Sequence, residues 1–375
     1  MLPTTTPGAR SLADVLPNSL LSLRGEQGSL RLPQAESSIV VVVDGLGTAQ
    51  LTARSGHARF LSSRLEESIA SVFPTTTAAA LASLMTGVLP GQHGLVGYRV
   101  LDAASDRVVN QLTGWDAAMA PATWQRAQTV FERALASDAG VRSYAVGPAS
   151  FARSGFTQAI LRGAEYRSAD DIAARFSEAA RLAGTPGALI YLYVPELDKA
   201  AHRYGWESDE WLARLETLDG VVRGAASSLP RRTGMLVTAD HGTIDVPYDS
   251  QIVFDVEPQL IDGVRHVGGE PRCVQLYLEP GASEDDRRHL ASLWRQSEGE
   301  RAWVLTRDEA IAAGLFGTVE PEIAARIGDV IVAARTRVVY YDSRSPEPAA
   351  RKMIGQHGSL SEEERIVPLI RLGVY

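Results

Sequence analysis

The 375-residue sequence predicts a three-layer α/β/α sandwich with a mostly parallel central sheet and a small α+β insertion. Continuous runs of β-branched and apolar residues recur along the chain, each followed by acidic residues, and such runs are typical of strands buried on both faces of a parallel sheet. Amphipathic segments of helical period lie between these runs. Because strands alternate with helices, we expect a doubly wound α/β fold whose site gathers at the carboxyl ends of the strands.

The first 35 residues mix prolines and glycines with a short leucine-rich run, and we predict that they form a surface segment outside the core. The core then opens with residues 39–43, five consecutive β-branched residues that end at Asp44. Similar apolar runs at 188–194 and 235–238 predict two further buried strands. The main α/β core is predicted to comprise residues 36–260 and 328–375.

Helices are predicted at 169–182 and 209–228, where the apolar residues follow the helical period. From about 261 to 327 the pattern becomes β-α-β-α. The elements predicted there are strands at 273–278 and 302–305 and helices at 284–296 and 307–313. Because this segment lies between two candidate ligand segments, we predict an insertion or cap that shapes the rim of the pocket. An extension of the main sheet is the open alternative.

The composition excludes several classes of partner. The chain has 37 basic and 45 acidic residues, a net charge of -8, which argues against a nucleic-acid polymer held by phosphate neutralisation. Cys273 is the one cysteine, so no intramolecular disulfide can form. The N-terminus lacks the apolar core of a signal peptide, and no stretch approaches the roughly 20 apolar residues of a membrane span. We therefore expect a cytoplasmic protein without a membrane partner; its oligomeric state is unknown.

A threonine-rich turn precedes an alanine-rich helix. Thr75, Thr76 and Thr77 follow Pro74, and the helix after them is predicted to end at Gly87. The N-terminus of a helix offers free N–H groups and the positive end of the helix dipole, which suits a phosphate bound beside a hydroxyl group. The alternative interpretation is that these threonines only cap the helix.

Aspartate and histidine residues recur where the predicted strands end. Asp44 follows the first strand, and Asp198 and His202 are spaced four residues apart after the second, which places both on one face of a helical turn. The remaining candidates are Asp240 and His241 after the third strand and His357, which is flanked by Gly355 and Gly358. Carboxylate and imidazole donors hold divalent metals, and a pair of metals stabilises the attacking and leaving oxygens of a phosphoryl transfer. A surface ion pair is the alternative for Asp198 and His202.

In this order along the chain, the motifs resemble the alkaline phosphatase superfamily, and most closely its type I phosphodiesterase/nucleotide pyrophosphatase family. The matching stretches are Val43-Asp44-Gly45, Phe73-Pro74-Thr75-Thr76-Thr77, Thr86-Gly87 through Pro90 to His93-Gly94, Asp198 to His202, Asp240-His241-Gly242 and Gln356-His357-Gly358. The resemblance implies one metal site formed by Asp198, His202 and His357. It implies a second formed by Asp44, Asp240, His241 and the Thr77 oxygen.

The resemblance further implies a metal-dependent hydrolase that cleaves phosphodiester or pyrophosphate bonds in a small, nucleotide-like phosphorylated molecule. Thr77 would be the nucleophile and would form a phosphothreonine intermediate. Two divalent ions are expected as cofactors, zinc first and manganese as the alternative. The candidate substrate contacts are Thr76, Ala78, Tyr98 and Arg99.

The sequence departs from the family at Ala80. Nucleotide-cleaving members carry an asparagine three residues after the nucleophile, and losing that donor would cost on the order of 10²-fold in rate if nothing replaces it. A phosphomonoesterase or phosphonate hydrolase of the same superfamily is therefore the alternative activity. A catalytically inactive nucleotide-binding protein is the alternative outside the enzymes. His93, although part of the matching pattern, is expected to brace its loop rather than bind a metal.

Overall fold

The computed structural model of the chain describes residues 2–3, 9–136, 140–344 and 351–375. Its strands, numbered along the chain, are β1 (Ser37–Val43), β2 (Ser68–Ala70), β3 (Arg99–Asp102), β4 (Arg107–Asn110), β5 (Arg142–Gly147), β6 (Glu165–Ser168), β7 (Ala188–Val194), β8 (Thr233–Thr238), β9 (Ile244–Asp245), β10 (Gln251–Val253), β11 (Val264–Glu270), β12 (Cys273–Leu278), β13 (Ala302–Thr306), β14 (Val330–Ala334), β15 (Val339–Tyr341), β16 (Gly355–Gln356), β17 (Ile366–Pro368) and β18 (Ile370–Gly373).

The α-helices are α1 (Val15–Leu23), α2 (Thr48–Ala53), α3 (Arg59–Ser63), α4 (Thr77–Thr86), α5 (Pro90–His93), α6 (Pro121–Trp124), α7 (Val130–Ala136), α8 (Gly155–Ile160), α9 (Ile172–Ala183), α10 (Glu196–Tyr204), α11 (Asp209–Ser227), α12 (Glu284–Glu298), α13 (Arg307–Ala312), α14 (Pro321–Ala324) and α15 (Glu362–Arg365). Short 3-10 helices lie at Leu12–Asp14, Ala149–Phe151, Tyr248–Ser250, Phe254–Val256 and Pro258–Leu260. None of the helices in the described ranges is both long enough and apolar enough to cross a membrane.

The central sheet has six strands in the order β18-β8-β1-β7-β5-β6. All neighbouring pairs are parallel except β18 with β8, which is antiparallel. Every residue of β1 and β8 is buried, because the sheet is covered on both faces. Helices α9 and α11 pack together on one face, and α1, α4 and α7 form the layer on the other. The predicted α/β sandwich with a mostly parallel sheet is confirmed.

A second, smaller sheet lies outside the central one. It has four antiparallel strands in the order β11-β12-β14-β13, and α12 packs against it over a core of its own that includes the fully buried Trp294. Of the two arrangements considered for residues 261–327, the structure therefore shows a separate sheet and not an extension of the central one. Its last strand, β14, lies beyond residue 327, since its hydrogen-bond partners are β12 and β13.

The structure corrects the predicted surface position of the N-terminal segment for its larger part. Leu12, Val15, Leu16 and Leu30 are completely buried, and α1 packs against β1 and α4. The reason is amphipathicity: the leucine-rich run forms a helix whose apolar side covers the sheet. Residues 4–8 of the same segment lie outside the described residues.

Candidate active site

Three neighbouring strands of the central sheet bring the acidic residues together. Strands β8, β1 and β7 are adjacent and parallel, so their carboxyl ends meet at one edge. Asp240 follows β8, Asp44 follows β1, and Asp198 lies in α10 just after β7. Continuous apolar runs bury each strand, and an aspartate that follows each run within a few residues emerges at this edge. Positions almost 200 residues apart in sequence therefore share one site.

The predicted first metal group is assembled in the structure. The side-chain donor atoms of Asp198, His202 and His357 all lie within 4.8 Å of one another. The Nε2 atom of His202 is 3.2 Å from Asp198 Oδ2, and that of His357 is 3.9 Å from Asp198 Oδ1. Helix α10 places Asp198 and His202 one turn apart on the same face, as their spacing predicts.

The second group differs in one member from the prediction. Donor atoms of Asp44, His241 and Asp198 lie within 4.8 Å of one another, so Asp198 belongs to both groups. Asp240 is not in this set, but its Oδ2 is 3.4 Å from His241 Nε2. The Thr77 hydroxyl is 3.2 Å from the same nitrogen. The structure therefore brings all seven predicted residues together and places Asp198 between the two groups.

Backbone carbonyls orient the three histidines. In each ring Nδ1 lies within hydrogen-bond distance of a carbonyl oxygen: that of Gly355 for His202 (2.8 Å), that of Thr75 for His357 (2.9 Å) and that of Gly242 for His241 (3.1 Å). A carbonyl only accepts, so Nδ1 carries the proton and Nε2 keeps its lone pair. This arrangement is typical of metal-binding histidines, whose second nitrogen is held by the surrounding protein.

The carboxylates of the site are buried without full compensation. Among the described residues, Asp44 Oδ1, Asp198 Oδ1 and Asp240 Oδ2 have no hydrogen-bond partner. Burial, with the charges of Asp240 and Asp198, raises the pKa of Asp44 well above its ordinary value. Burial also opposes ionisation of Asp198, but the neighbouring His202 outweighs it and the pKa of Asp198 is lowered.

Buried carboxylates that repel one another in this way favour the binding of cations. Burial, and then the neighbouring His241, lower the pKa of His357 well below its ordinary value, so this ring is neutral and can donate its lone pair. Buried aspartates that repel each other beside a neutral imidazole are compensated by divalent metal ions, whose preferred donors are these oxygens and nitrogens. The residues present therefore fit divalent metal ions.

The nucleophile turn places Thr77 at the start of a helix. Thr76 precedes α4 with extended backbone angles (φ -124°, ψ 143°), and its side chain makes no capping hydrogen bond. Thr77 is the first helical residue, and its hydroxyl points to His241. The alternative that these threonines only cap the helix is thus not supported for Thr76. Ala80, one turn into α4, is completely buried.

A cavity of about 1680 Å³ opens in front of Thr77. Of the predicted substrate contacts, Thr76, Tyr98 and Arg99 line it, whereas Ala78 is fully buried and does not. Ala78 can therefore contribute only its backbone N–H group. The cavity lining also includes aromatic side chains, among them Phe151, Phe156, Tyr191 and Tyr193.

Two residues of the site were not predicted in their roles. The Tyr193 hydroxyl donates a hydrogen bond to Asp44 Oδ2 and so orients a candidate ligand. Glu270, at the end of β11, lines the cavity beside Thr76. The sequence marks Tyr193 only as part of the apolar run at 188–194, and no sequence signal marks Glu270. His93, by contrast, is buried between Ser83 and the Leu95 N–H and lies outside both groups, as expected.

The fold and the arrangement of donors define the class of protein. The chain resembles solved structures of the alkaline phosphatase superfamily, and a model of the type I phosphodiesterase / nucleotide pyrophosphatase family matches residues 38–360. The chain belongs to this family. No curated protein matches it significantly in sequence.

Similar solved structures share the fold at low identity. Murine ectonucleotide pyrophosphatase / phosphodiesterase 5 is 16% identical with a TM-score of 0.67, covering 89% of this chain and 87% of that one. An inactive variant of the murine protein, with threonine replaced by alanine, was solved in complex with AMP; it is 15% identical, with a TM-score of 0.67 and coverages of 90% and 88%. Phosphonoacetate hydrolase from Sinorhizobium meliloti 1021, in complex with phosphonoformate, is 20% identical, with a TM-score of 0.64 and 91% of each chain covered.

Proposed function

We propose that this protein is a metal-dependent hydrolase of phosphodiester or pyrophosphate bonds in a small, nucleotide-like molecule. Thr77 is the nucleophile and forms a phosphothreonine intermediate at a site for two divalent ions. The observation that carries the proposal is the convergence of Thr77 with six Asp and His ligand candidates on one sheet edge, with three buried carboxylate oxygens left without partners. The cytoplasmic location remains part of this proposal and rests on the sequence.

The ligand assignment is the one that the family resemblance implies, and the proximity of the donors supports it. Asp198, His202 and His357 would hold one ion, and Asp44, Asp240 and His241 would hold the other beside Thr77. When bound, zinc or manganese would favour loss of the threonine proton and neutralise charge that develops on the phosphoryl oxygens. Because Asp198 stands in both donor groups, it would contribute to holding both ions.

The chain's own groups account for nucleophilic attack and for binding. The Thr77 oxygen attacks phosphorus in line with the leaving oxygen, and water later cleaves the phosphothreonine and regenerates the hydroxyl. At the start of α4 the backbone N–H groups have no partner within the helix, so they can bind phosphoryl oxygens. Tyr193 keeps Asp44 in place through its hydrogen bond.

The cavity favours a substrate larger than inorganic phosphate. Its volume of about 1680 Å³ exceeds the usual range for small-molecule sites, and its aromatic wall can pack against a planar or apolar group. The complex of the similar murine protein with AMP is in keeping with a nucleotide-like substrate. Arg99 at the same cavity supplies a positive charge for a further anionic group.

A comparison of three substrates tests the proposal. We expect the protein, supplied with zinc or manganese, to cleave bis-p-nitrophenyl phosphate and the p-nitrophenyl ester of thymidine monophosphate much faster than p-nitrophenyl phosphate, with a chelator abolishing all activity. A preference for the monoester would instead establish the phosphomonoesterase alternative, which the buried Ala80 favours because it offers no side-chain donor. Absence of turnover on every ester, with both metals bound, would contradict the proposal.

A further inference from the structure

Glu270 occupies an unusual position for an acidic residue. It is the last residue of β11, opposite Cys273 in the hairpin with β12, and the second sheet thereby carries it into the cavity of the central one. It shares this cavity with Thr76, Thr77 and His357, yet it is only 8% exposed. The hairpin is thus the route by which the second sheet reaches the candidate active site.

The Glu270 side chain is held tightly against the nucleophile turn and the histidine loop. A Cβ atom added at Gly358 would lie 2.4 Å from its Cγ, so a glycine next to His357 makes room for it. Despite this packing, neither carboxyl oxygen makes a hydrogen bond of normal geometry with the described residues, although the Thr76 hydroxyl and the Tyr98 N–H group lie nearby. A buried carboxyl group without partners destabilises the fold, so packing alone does not explain this glutamate.

The surroundings favour the neutral acid. Burial raises the pKa of Glu270 to about 8; the nearby Thr76 hydroxyl lowers it, the charge of Glu364 raises it, and the Tyr98 backbone N–H lowers it. The thiol of Cys273 is another titratable group near it, and Arg272 is occupied by Glu364. A neutral carboxyl group has an O–H that donates a hydrogen bond.

A neutral Glu270 needs a hydrogen-bond acceptor, which a phosphoryl group bound beside Thr77 would supply. The side chains that follow the nucleophile on α4 are Ala78, Ala79 and Ala80, which carry no donor. A phosphoryl group bound there would present anionic oxygens, which repel a carboxylate but accept a hydrogen bond from a carboxylic acid. Enzymes do keep a buried carboxylic acid neutral for such a purpose.

We propose that Glu270 contacts the substrate directly and donates a hydrogen bond to the phosphoryl group bound beside Thr77. This inference rests on the proposed function. It gives the second sheet a part in phosphoryl binding, and it supplies the side-chain donor that the alanines of α4 lack.

Two variants of similar size test the proposal, because one keeps a donor and the other does not. Glu270→Gln retains N–H groups, and we expect its kcat/KM for bis-p-nitrophenyl phosphate at pH 7 to stay within about threefold of the wild type. Glu270→Met has no donor, and we expect a loss of about 10²-fold. Inhibition by inorganic phosphate should weaken about tenfold in Glu270→Met only. The unfolding temperature of Glu270→Met should not fall, because an unsatisfied carboxyl group is removed.

The opposite results would overturn the assignment. If Glu270→Met keeps wild-type kcat/KM, or if Glu270→Gln loses as much as Glu270→Met, Glu270 is not a donor to the phosphoryl group; the second pattern would indicate an ionised carboxylate that binds a cationic group. A lower unfolding temperature in both variants with unchanged phosphate inhibition would indicate a structural role. Failure of the proposed function appears separately as absence of ester cleavage by the wild type, and calorimetric binding of inorganic phosphate then still decides the role of Glu270. Glu284→Gln, an exposed change on the same subdomain, is the control.

Discussion

Two buried glutamates near the turn between β11 and β12, Glu270 and Glu364, differ in how far their carboxyl groups are compensated by other residues. Arg272 lies in the turn between β11 and β12, and its Nε and Nη2 groups donate to Oε1 and Oε2 of Glu364, at 2.8 Å each. Glu364 also accepts from the Ser359 N–H and the Ser361 hydroxyl, so its charge is fully compensated. Glu270, two residues before Arg272, has no ion pair and no hydrogen bond of normal geometry among the described residues.

The comparison distinguishes a buried charge that stabilises the fold from carboxyl groups that a ligand would complete. At the seam between the sheets, the protein satisfies a buried charge completely, because an uncompensated one would cost several kcal/mol. At the sheet edge it leaves oxygens of Asp44, Asp198 and Asp240 open as well as those of Glu270. Buried polar groups without partners persist where a ligand completes them. The oxygens without partners therefore indicate the functional site, and the fully hydrogen-bonded Glu364 indicates a structural role.

The largest effect is expected at the nucleophile. Thr77→Ala should reduce ester cleavage by on the order of 10⁴-fold or more, because the attacking oxygen is removed. Metal content and the unfolding temperature should stay close to the wild type. Steady-state kinetics and elemental analysis measure the two quantities. Thr86→Ala, at the other end of α4, removes a hydroxyl that bonds to the Ala82 carbonyl, and it should cost about 1 kcal/mol of stability without loss of activity. Equal activity of Thr77→Ala and wild type would exclude the nucleophile assignment.

Metal content distinguishes the shared ligand from the single ones. His202→Ala should lower the content from about two divalent ions per chain to about one. Asp198→Asn should lower it further, because Asp198 stands in both donor groups. Inductively coupled plasma mass spectrometry after dialysis gives the ratio. Asp245→Asn, which alters a nearby carboxylate that bonds to backbone N–H groups, should keep both ions. The same loss for His202→Ala and Asp198→Asn would assign Asp198 to one ion only.

Breaking the closed pair should affect folding and not chemistry. Glu364→Gln leaves the Arg272 guanidinium buried without its counter-charge, and we expect it to lower the free energy of unfolding by about 3–5 kcal/mol. Urea denaturation measures this loss. The exposed pair of Arg288 and Glu284 is the matched comparison, and Glu284→Gln should change stability by less than about 1 kcal/mol. Similar losses in both variants would mean that the seam pair is no more important than a surface pair.

The carboxyl group of Glu270, which has no ion-pair partner, should make the protein less stable as pH rises. With the pKa of Glu270 raised from 4.5 to about 8, the folded state binds more protons than the unfolded state between these values. The contribution of Glu270 to stability is therefore complete below about pH 4.5, declines as pH rises, and is lost above about pH 8, by at most about 1.4 kcal/mol per pKa unit. The stability of Glu270→Gln relative to wild type should accordingly increase from pH 5 to pH 8 in urea denaturation. A constant difference would show that Glu270 is ionised throughout.

Local patterns in the sequence were enough to predict the elements that carry the site. The apolar runs at 39–43, 188–194 and 235–238 correspond to β1, β7 and β8, because a strand buried on both faces has no polar position in its interior. The predicted helices agree with α9 and α11 to within three residues at each end. Strand β5 was not predicted, since Arg142–Gly147 begins with half-exposed and polar residues and lacks a continuous apolar run.

The sequence by itself identified the candidate site residues, because they lie shortly after apolar strands, at the start of a helix or one helical turn apart. The order of motifs along the chain identified the family. The tertiary structure decided how these residues are grouped. It placed Asp198 in both donor groups, and it placed Asp240 outside the second group but 3.4 Å from His241. It also brought Glu270 to Thr76 across almost 200 residues. These facts depend on how two sheets pack, and packing distances between separate elements are not encoded in any local periodicity.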